Sequence, residues 1–408
     1  MKIGINGAFW GMSGTGSGQY LHHLVTNLAS TEEDLTCFLP TSAIPSPAQD
    51  SAPSGVVFKS VPTPFDGGIA GRYADLAKVW FEQVAFPRAC AAQGIEVAHV
   101  PYFAPPLRPT CPTVVTIHDL IPLRLPEYAA SRRARLYMRL VSRAAREATL
   151  ILTDSYASAR DIQELLRIPL ERIRVIYLAV DRDGPVAYQP LSDEASRPLR
   201  QRLGLSRPYL LYLGGFDRRK RVPELLRAFA DAERILSDVD LVIAGQLPAK
   251  DSAFAPDPRP LARDLGIEAR VRFVGWVPEE DKPALLSGAR AFLFPSVYEG
   301  FGLPVLEALA CGTPAIVASG SCLEEIAGDG ALVIPPDDEN ALARTMIQIA
   351  HDDLLRRELA EAGLVQARTF SWARTAQETM SAYREALSLC PVAAMRRVAR
   401  NSFSASGR

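Results

Sequence analysis

Glu299 and Glu307 stand eight positions apart, on either side of a glycine-bearing turn within the run Arg290 to Ala318. A carboxylate in such a place can accept hydrogen bonds from neighbouring hydroxyls, as acidic residues do with ribose in other nucleotide sites. Earlier in the chain, Gly214-Gly215 is followed by Arg218-Arg219-Lys220-Arg221, four cations in a row. Cations at the start of a helix oppose its dipole, and an anionic ligand bound there would resolve the conflict. His118, followed by Asp119, closes the apolar run that begins at Thr113. These groups suit a ligand that carries both phosphate and hydroxyls. Each also has a plainer reading. Glu307 would then only complement a helix dipole, and Glu299 would be solvated. The cations would be a surface run or a weak nucleic-acid contact, and the His–Asp pair would be structural.

The elements that must position these residues are legible from apolar spacing. Ala291–Phe294 is too short for a helix and is stopped by Pro295, so it reads as a buried strand. A loop follows from Ser296 to Leu303, in which Gly300 and Gly302 relieve backbone limits. Pro304 sits where a helix begins and Gly312 where it ends, with Val305, Leu306, Leu309 and Ala310 on one face. A strand from Pro314 to Ala318 completes the unit. The helix start behind this loop favours anions.

The same alternation runs through the chain. Strands are expected at Lys2–Asn6, Leu35–Leu39, Val56–Lys59, Val97–Val100, Val114–Ile117, Leu150–Thr153 and Val175–Tyr177. It restarts with strands at Tyr209–Leu213, Leu241–Ala244 and Val271–Val277, the last ending at Gly275. Such order implies an α/β protein with parallel sheets flanked by helices. The loop Gly14-Thr-Gly16-Ser-Gly18 after the first strand precedes a helix from about Gln19 to Ala29. It is not G-x-G-x-x-G, and no acidic residue ends a second strand, so a dinucleotide cofactor is set aside.

At 408 residues the chain has room for about two domains. A net charge of −1 argues against a general polyanion binder, and so against nucleic acid as a partner. No apolar run approaches the ~18 residues a membrane-spanning helix needs. The N-terminal residues read as a strand rather than a signal peptide. Six cysteines (37, 90, 111, 311, 322, 390) show no C-x2-C pairing, which speaks for a reducing compartment and against structural zinc. A cytoplasmic location is expected. Asp181-Arg-Asp183 and Asp238-Val-Asp240 resemble metal-binding pairs, but neither has further oxygen ligands nearby, so no metal is expected.

A helix from about Ser131 to Glu147 carries Arg132, Arg135, Arg139, Arg143 and Arg146 on one face, with Leu136, Leu140 and Ala144 on the next. That face is either solvated or suited to anionic lipid heads or an acceptor's diphosphate, which would put the protein at the inner surface of a membrane. Ser158 with Asp161 reads as a capping box. The Pro-, Gly- and charge-rich stretch from Asp181 to about Arg207 reads as an interdomain linker with a short helix.

The segment Glu299-Gly-Phe-Gly-Leu-Pro-Val-Leu-Glu307, with Ala-Leu-Ala-Cys-Gly-Thr-Pro314 behind it, resembles the E-x7-E signature of the retaining glycosyltransferases of family GT4. The Gly-x-x-x-x-Arg-Lys element of that family is matched by Gly214 to Lys220, with Arg219 and Lys220 as the diphosphate-holding pair. Arg218 leaves open which arginine reaches the phosphate, and Arg221 replaces a smaller or amide residue.

The resemblance implies a GT-B fold, two Rossmann-like doubly wound domains facing across a cleft. Residues 1–183, with a crossing helix at about 373–389, would bind acceptor. Residues 200–372 would bind the nucleotide-sugar, and 390–408 would be a disordered basic tail. It implies a metal-independent, retaining sugar transfer with His118, Arg219, Lys220 and Glu299 at the reacting groups. His118 would hydrogen-bond the sugar or support an oxocarbenium-like transition state. Donor contacts would come from Gly16, Gly215, Arg219, Lys220, Val277, Glu299, Gly300, Phe301, Gly302, Leu303 and Glu307. Of these, Glu307 would take the ribose and Val277 the edge of the base.

The run His118 to Glu127 resembles that of bacterial mannosyltransferases making surface polysaccharides. It favours GDP-mannose as donor, with UDP-glucose or another UDP-sugar second, and a glycan or lipid-linked acceptor. A sugar-nucleotide epimerase and an inactive nucleotide-sugar-binding protein share the fold, and the intact Glu299/Glu307 and Arg219/Lys220 pairs weigh against both.

Overall fold

The computed structural model describes residues 1–12, 14–41, 53–64, 74–129, 131–184 and 186–390. The chain forms two compact units, Met1–Leu178 with the segment from Trp372, and Ala179–Ser371. The basic tail expected beyond Cys390 lies outside the described residues.

The first unit is built on seven parallel strands, β1 (Lys2–Asn6), β2 (Asp34–Pro40), β3 (Val56–Val61), β4 (Val97–Val100), β5 (Thr113–Thr116), β6 (Leu150–Thr153) and β7 (Ile173–Val175). Their order is β3-β2-β1-β4-β5-β6-β7. The second unit has six, β8 (Tyr209–Leu213), β9 (Asp240–Ala244), β10 (Val271–Gly275), β11 (Ala291–Phe294), β12 (Ala315–Ala318) and β13 (Ala331–Ile334), in the order β10-β9-β8-β11-β12-β13. The central strands are short and buried along their whole length, as expected of parallel strands with both faces covered. In both sheets the order reverses beside the first strand of the unit, so the carboxyl ends there form the usual ligand crevice of an open α/β sheet.

Four local expectations are corrected. The cap of the helix Tyr156–Leu166 is Ser155, whose hydroxyl accepts from the Ser158 amide at 3.1 Å. Ser158 lies inside the first turn instead. The arginine-bearing helix runs Arg132–Ala145 and buries Met138, Val141, Ala144 and Ala145, whereas Leu136 is 68% exposed. The strand expected at Val175–Tyr177 ends at Val175. The stretch read as a linker belongs to the second unit from Ala179 onward. There Tyr188 is buried, and Ser192 caps a helix over Asp193–Arg202. The helix Trp372–Ser388 clusters with the first unit, where the Thr375 hydroxyl donates to the Tyr177 carbonyl at 2.7 Å.

Candidate active site

In the second unit two loops leave the ends of adjacent strands β8 and β11 and are stitched together. The Val297 amide donates to the Arg219 carbonyl at 2.9 Å. The cation run is not the first turn of a helix. Arg218–Lys220 form a 3-10 turn, and Arg221 adopts a left-handed conformation (φ 56°) before the helix Val222–Ala232. That backbone suits Gly or Asn better than a longer L-residue, which accounts for the small or amide residue expected at this position. The turn sorts the four cations. Arg218 is exposed, and Arg221 pairs at 2.8 Å with the surface residue Asp337. Arg219 and Lys220 turn inward.

Both inward cations meet Glu299. Lys220 Nζ lies 2.5 Å from Glu299 Oε1 and 4.5 Å from the centre of the Phe294 ring. Arg219 Nη1 lies 2.6 Å from the same oxygen and donates to the Tyr298 carbonyl at 2.9 Å, and its Nε is 3.0 Å from Asp217 Oδ1. The Ser296 hydroxyl donates to Glu299 Oε1 at 2.5 Å. Burial alone would raise the Glu299 carboxyl, but the two cations hold it below the usual carboxylate range. Burial likewise draws the Lys220 ammonium down, against the pull of Glu299. The result is a dehydrated charge cluster, fixed before any ligand arrives.

From this loop the chain enters the helix Leu303–Ala310 through Gly302 at φ 98°. The left-handed backbone there favours glycine, and a Cβ would lie 2.6 Å from Leu323 Cδ2, so that side chain would also have to move. Leu303 and Pro304 open the helix, leaving its end without a side-chain cap. Gly300 and Phe301 precede it, the Phe301 ring standing edge-on to Phe370 at 5.8 Å.

Glu307 sits one turn into the helix and is only 7% exposed. Its Oε2 is buried and accepts no hydrogen bond among the described residues. Burial pushes its carboxyl up to about 7, moderated by the Lys282 ammonium. Around it, the Tyr188 hydroxyl donates to Glu279, and Lys282 Nζ lies 2.6 Å from Glu279 Oε2. Val277, just before Glu279, is buried, while Gly215 is exposed beside the cation turn.

In the first unit, His118 follows β5 by two residues. Its carboxylate partner is not the adjacent Asp119, whose Oδ1 accepts the Ile121 amide at 2.9 Å. It is Asp154, at the end of β6, with Nδ1 to Oδ2 at 2.7 Å. Gly16 is the first residue of the helix Gly16–Leu28, and a Cβ there would meet nothing within 4 Å. The glycine the geometry demands is Gly18, where a Cβ would lie 2.1 Å from the Met12 carbonyl oxygen. The arginines at 132, 135, 139, 143 and 146 are all exposed.

The structure thus gathers Arg219, Lys220 and Glu299 at one point and sets Glu307 in a separate polar nest. Reading the sequence missed Asp154, Ser296, Tyr188, Glu279 and Lys282. Only the position of Asp154 and Ser296 directly behind strand ends could have drawn attention to them. Among the described residues, no group of three or more His, Cys, Asp or Glu is arranged to hold a metal ion, and no helix is long and apolar enough to cross a membrane.

Comparison with known proteins gives this geometry a context. Residues 14–183 match the model described as Glycosyltransferase Family 4, and residues 197–365 the model described as Glycosyl transferases group 1. The chain is 34% identical over 273 residues to O-antigen chain mannosyltransferase B of Escherichia coli, covering 66% of this chain and 70% of that protein. It is 30% identical over 273 residues to the serotype-specific mannosyltransferase WbdA of E. coli, covering 65% of this chain but 32% of that protein, so it spans about a third of that relative's length. Among solved structures, sucrose-phosphate synthase from Thermosynechococcus elongatus superposes with a TM-score of 0.72 at 22% identity, covering 94% of this chain and 98% of that one. Anabaena HepE in complex with UDP-glucose superposes at 0.68 with 19% identity, covering 93% and 99%. At these identities the structural likeness speaks for the GT-B fold.

Proposed function

The chain belongs to glycosyltransferase family 4, and on that premise we propose that it transfers mannose from GDP-mannose to a glycan or lipid-linked acceptor, with retention at the anomeric carbon. The observation that carries the reading is the convergence of half-buried Arg219 and buried Lys220 on Glu299, beside the opening of the helix Leu303–Ala310. Cleaving the bond between sugar and diphosphate leaves added negative charge on the departing group. Cations already fixed in a dry site answer that charge without reorganising, the electrostatic route to a lower barrier. On this reading Arg219 and Lys220 hold the diphosphate with no divalent ion, Glu299 holds hydroxyls of the sugar, and Glu307 holds the ribose. Gly215, Val277, Gly300, Phe301, Gly302 and Leu303 line the donor, and His118 and Gly16 serve from the first unit. A phosphate oxygen of the donor takes the acceptor's proton on the same face, so no second base is needed. The exposed arginines of the helix Arg132–Ala145, with Leu136 among them, suit an anionic lipid head group near the acceptor.

Similarity to O-antigen chain mannosyltransferase B supports mannose. A UDP-sugar is the second reading, supported by the fold shared with HepE. A thermal-shift series separates them, because a ligand that favours the folded state raises its melting point by mass action. GDP is expected to give a larger shift than UDP or ADP, and transfer from GDP-mannose is expected to persist in a chelator. Equal shifts from all three nucleotides would remove the case for mannose, and activity lost on chelation would remove the case for protein cations alone.

Glu307 gives an independent check. Burial pushes its carboxyl up to about 7, and two ribose hydroxyls donating to its two oxygens favour the ionised form, which is acceptor-only. Nucleotide binding near pH 7 should therefore release a fraction of a proton, and affinity should rise as pH passes upward through 7 and then level off. Calorimetry in buffers of different ionisation enthalpy reads this directly. Glu307→Gln should abolish the release, and a wild type that releases no proton would argue against ribose contact at Glu307.

A further inference from the structure

We propose that Asp154 is a positioning residue for sugar transfer, whose carboxylate keeps His118 with a proton on both ring nitrogens so that Nε2 is a hydrogen-bond donor toward a hydroxyl of the transferred sugar. The part of this that concerns the sugar rests on the reading given under Proposed function; the part that concerns the imidazole stands on the geometry of the first unit alone.

Both ring nitrogens face acceptors. Nδ1 lies 2.7 Å from Asp154 Oδ2, and Nε2 lies 3.3 Å from the Pro101 carbonyl oxygen. A carbonyl can only accept, and an ionised carboxylate can only accept. A neutral ring that gave its one proton to Asp154 would turn the lone pair of Nε2 toward the Pro101 oxygen. Two N–H groups remove that repulsion, so the pair is built for an imidazolium and a carboxylate. At 3.3 Å the Pro101 contact is long, and a better acceptor can take its place.

The placement of Asp154 is not incidental. It is 2% exposed and sits at the end of β6. The strands behind the pair are tied at that level, with the Thr153 hydroxyl donating to the Ile117 carbonyl at 2.7 Å. The Ser158 hydroxyl donates to the His118 carbonyl at 3.1 Å, so the His118 backbone is anchored from the helix that follows Asp154. On the other side the Tyr20 ring stands edge-on to the imidazole at 4.8 Å. Ring and carboxylate are thus each held by a separate element.

The titratable groups facing His118 are few. Asp154 comes from the end of β6 and Asp119 from the same loop. His99 comes from β4, with Nε2 2.8 Å from the Thr116 hydroxyl and Nδ1 2.7 Å from the Tyr383 hydroxyl, and burial draws it down to about 3, so it is neutral. Tyr20 comes from the first helix and is neutral too, because burial drives its hydroxyl far up. For His118 itself burial acts to lower the pKa, and Asp154, with smaller help from Asp119 and the Pro101 carbonyl, more than reverses it, leaving the net direction upward. A raised histidine pKa means the pair stabilises the fold fully below the free value near 6.5 and loses that contribution as pH rises through the folded value.

The test uses the full chain with ring-labelled histidine, following His118 by NMR across pH, with the pH profile of transfer measured beside it. Wild-type His118 should titrate above 6.5 with both ring nitrogens protonated below that point. In Asp154→Asn, which keeps the shape and removes the charge, the midpoint should fall by at least one pH unit, about tenfold less imidazolium on the alkaline side. The alkaline limb of kcat/KM should move down with it. Asp154→Glu, which restores the charge, should recover part of the raised midpoint and guards against a folding defect in the first variant. A wild-type midpoint at or below 6.5, or one that Asp154→Asn leaves in place, would overturn the proposal. So would a midpoint that moves while the alkaline limb of transfer stays put. The NMR arm needs no substrate, so a wrong donor assignment would show as absent transfer with an intact titration shift, and would then deny Asp154 its role in transfer without touching its hold on His118.

Discussion

Lys220→Ala is expected to lower kcat/KM for sugar transfer by about 10²–10³-fold, the scale seen when one fixed donor is removed from a charge-stabilising site. It is also expected to abolish the rise in melting point that a nucleoside diphosphate produces. Lys220 is 8% exposed, wedged between Glu299 and the face of Phe294. Its charge has already lost most of its water, so a diphosphate arriving there meets a nearly bare cation. The substitution also leaves Glu299 with Arg219 and Ser296 alone. Breaking one side of a buried pair typically costs about 3 kcal/mol of stability, so the unliganded variant should melt lower. Kinetics are therefore to be read well below that melting point. Lys220→Arg is not a rescue. The slot over Phe294 fits a compact ammonium, and a planar guanidinium cannot occupy it in the same way. A folded Lys220→Ala variant with ordinary transfer would sink the assignment of the diphosphate to this turn.

Where the sequence is punctuated locally, its reading and the structure agree closely. Ala291–Phe294, Val97–Val100, Leu150–Thr153, Tyr209–Leu213 and Val271–Gly275 are strands with the expected limits, because short apolar runs end in Pro, Gly or polar residues. The helix behind Glu299 is bounded by Pro304 and Gly312 for the same reason. What a linear reading cannot supply is phase and partnership. Ser158 with Asp161 has the spacing of a cap, but the end of β6 at Thr153 starts the helix earlier and gives the role to Ser155. Spacing alone sets Leu136, Leu140 and Ala144 on a face beside the arginines; the buried face passes through Met138, Val141, Ala144 and Ala145, which leaves Leu136 exposed.

Partnerships across the chain are harder still. Lys220 and Glu299 are 79 positions apart, His118 and Asp154 are 36, and Tyr188 and Glu279 are 91. The adjacent Asp119 was the obvious partner for His118 by position, yet its carboxylate is spent on the following turn. The four cations could be recognised as seeking an anion. That two face Glu299, while Arg218 is exposed and Arg221 turns to Asp337, follows from a 3-10 turn and one left-handed residue, neither of which a run of like charges announces.

Glu299→Gln should separate two roles that the cluster combines. The wild-type carboxylate accepts from Lys220, Arg219 and Ser296 through one oxygen, Oε1. A neutral amide weakens its hold on both cations, so a nucleoside diphosphate without sugar should bind as well as before or more tightly. A nucleotide-sugar should fare worse, because a charged acceptor for its hydroxyls is gone, and kcat/KM should fall by about 10²-fold. Stability adds a pH signature. The Glu299 carboxyl is held below its ordinary range, so the ion pairs stabilise the fold above about 4.5 and lose that contribution as pH falls through the lower folded value. The melting-point deficit of Glu299→Gln should therefore be largest near neutrality and shrink in acid. Calorimetric titration with the bare diphosphate, set beside transfer kinetics, distinguishes the outcomes. If diphosphate affinity and transfer fall by the same factor, Glu299 serves only to hold Arg219 and Lys220 in place, and the sugar hydroxyls must find another partner.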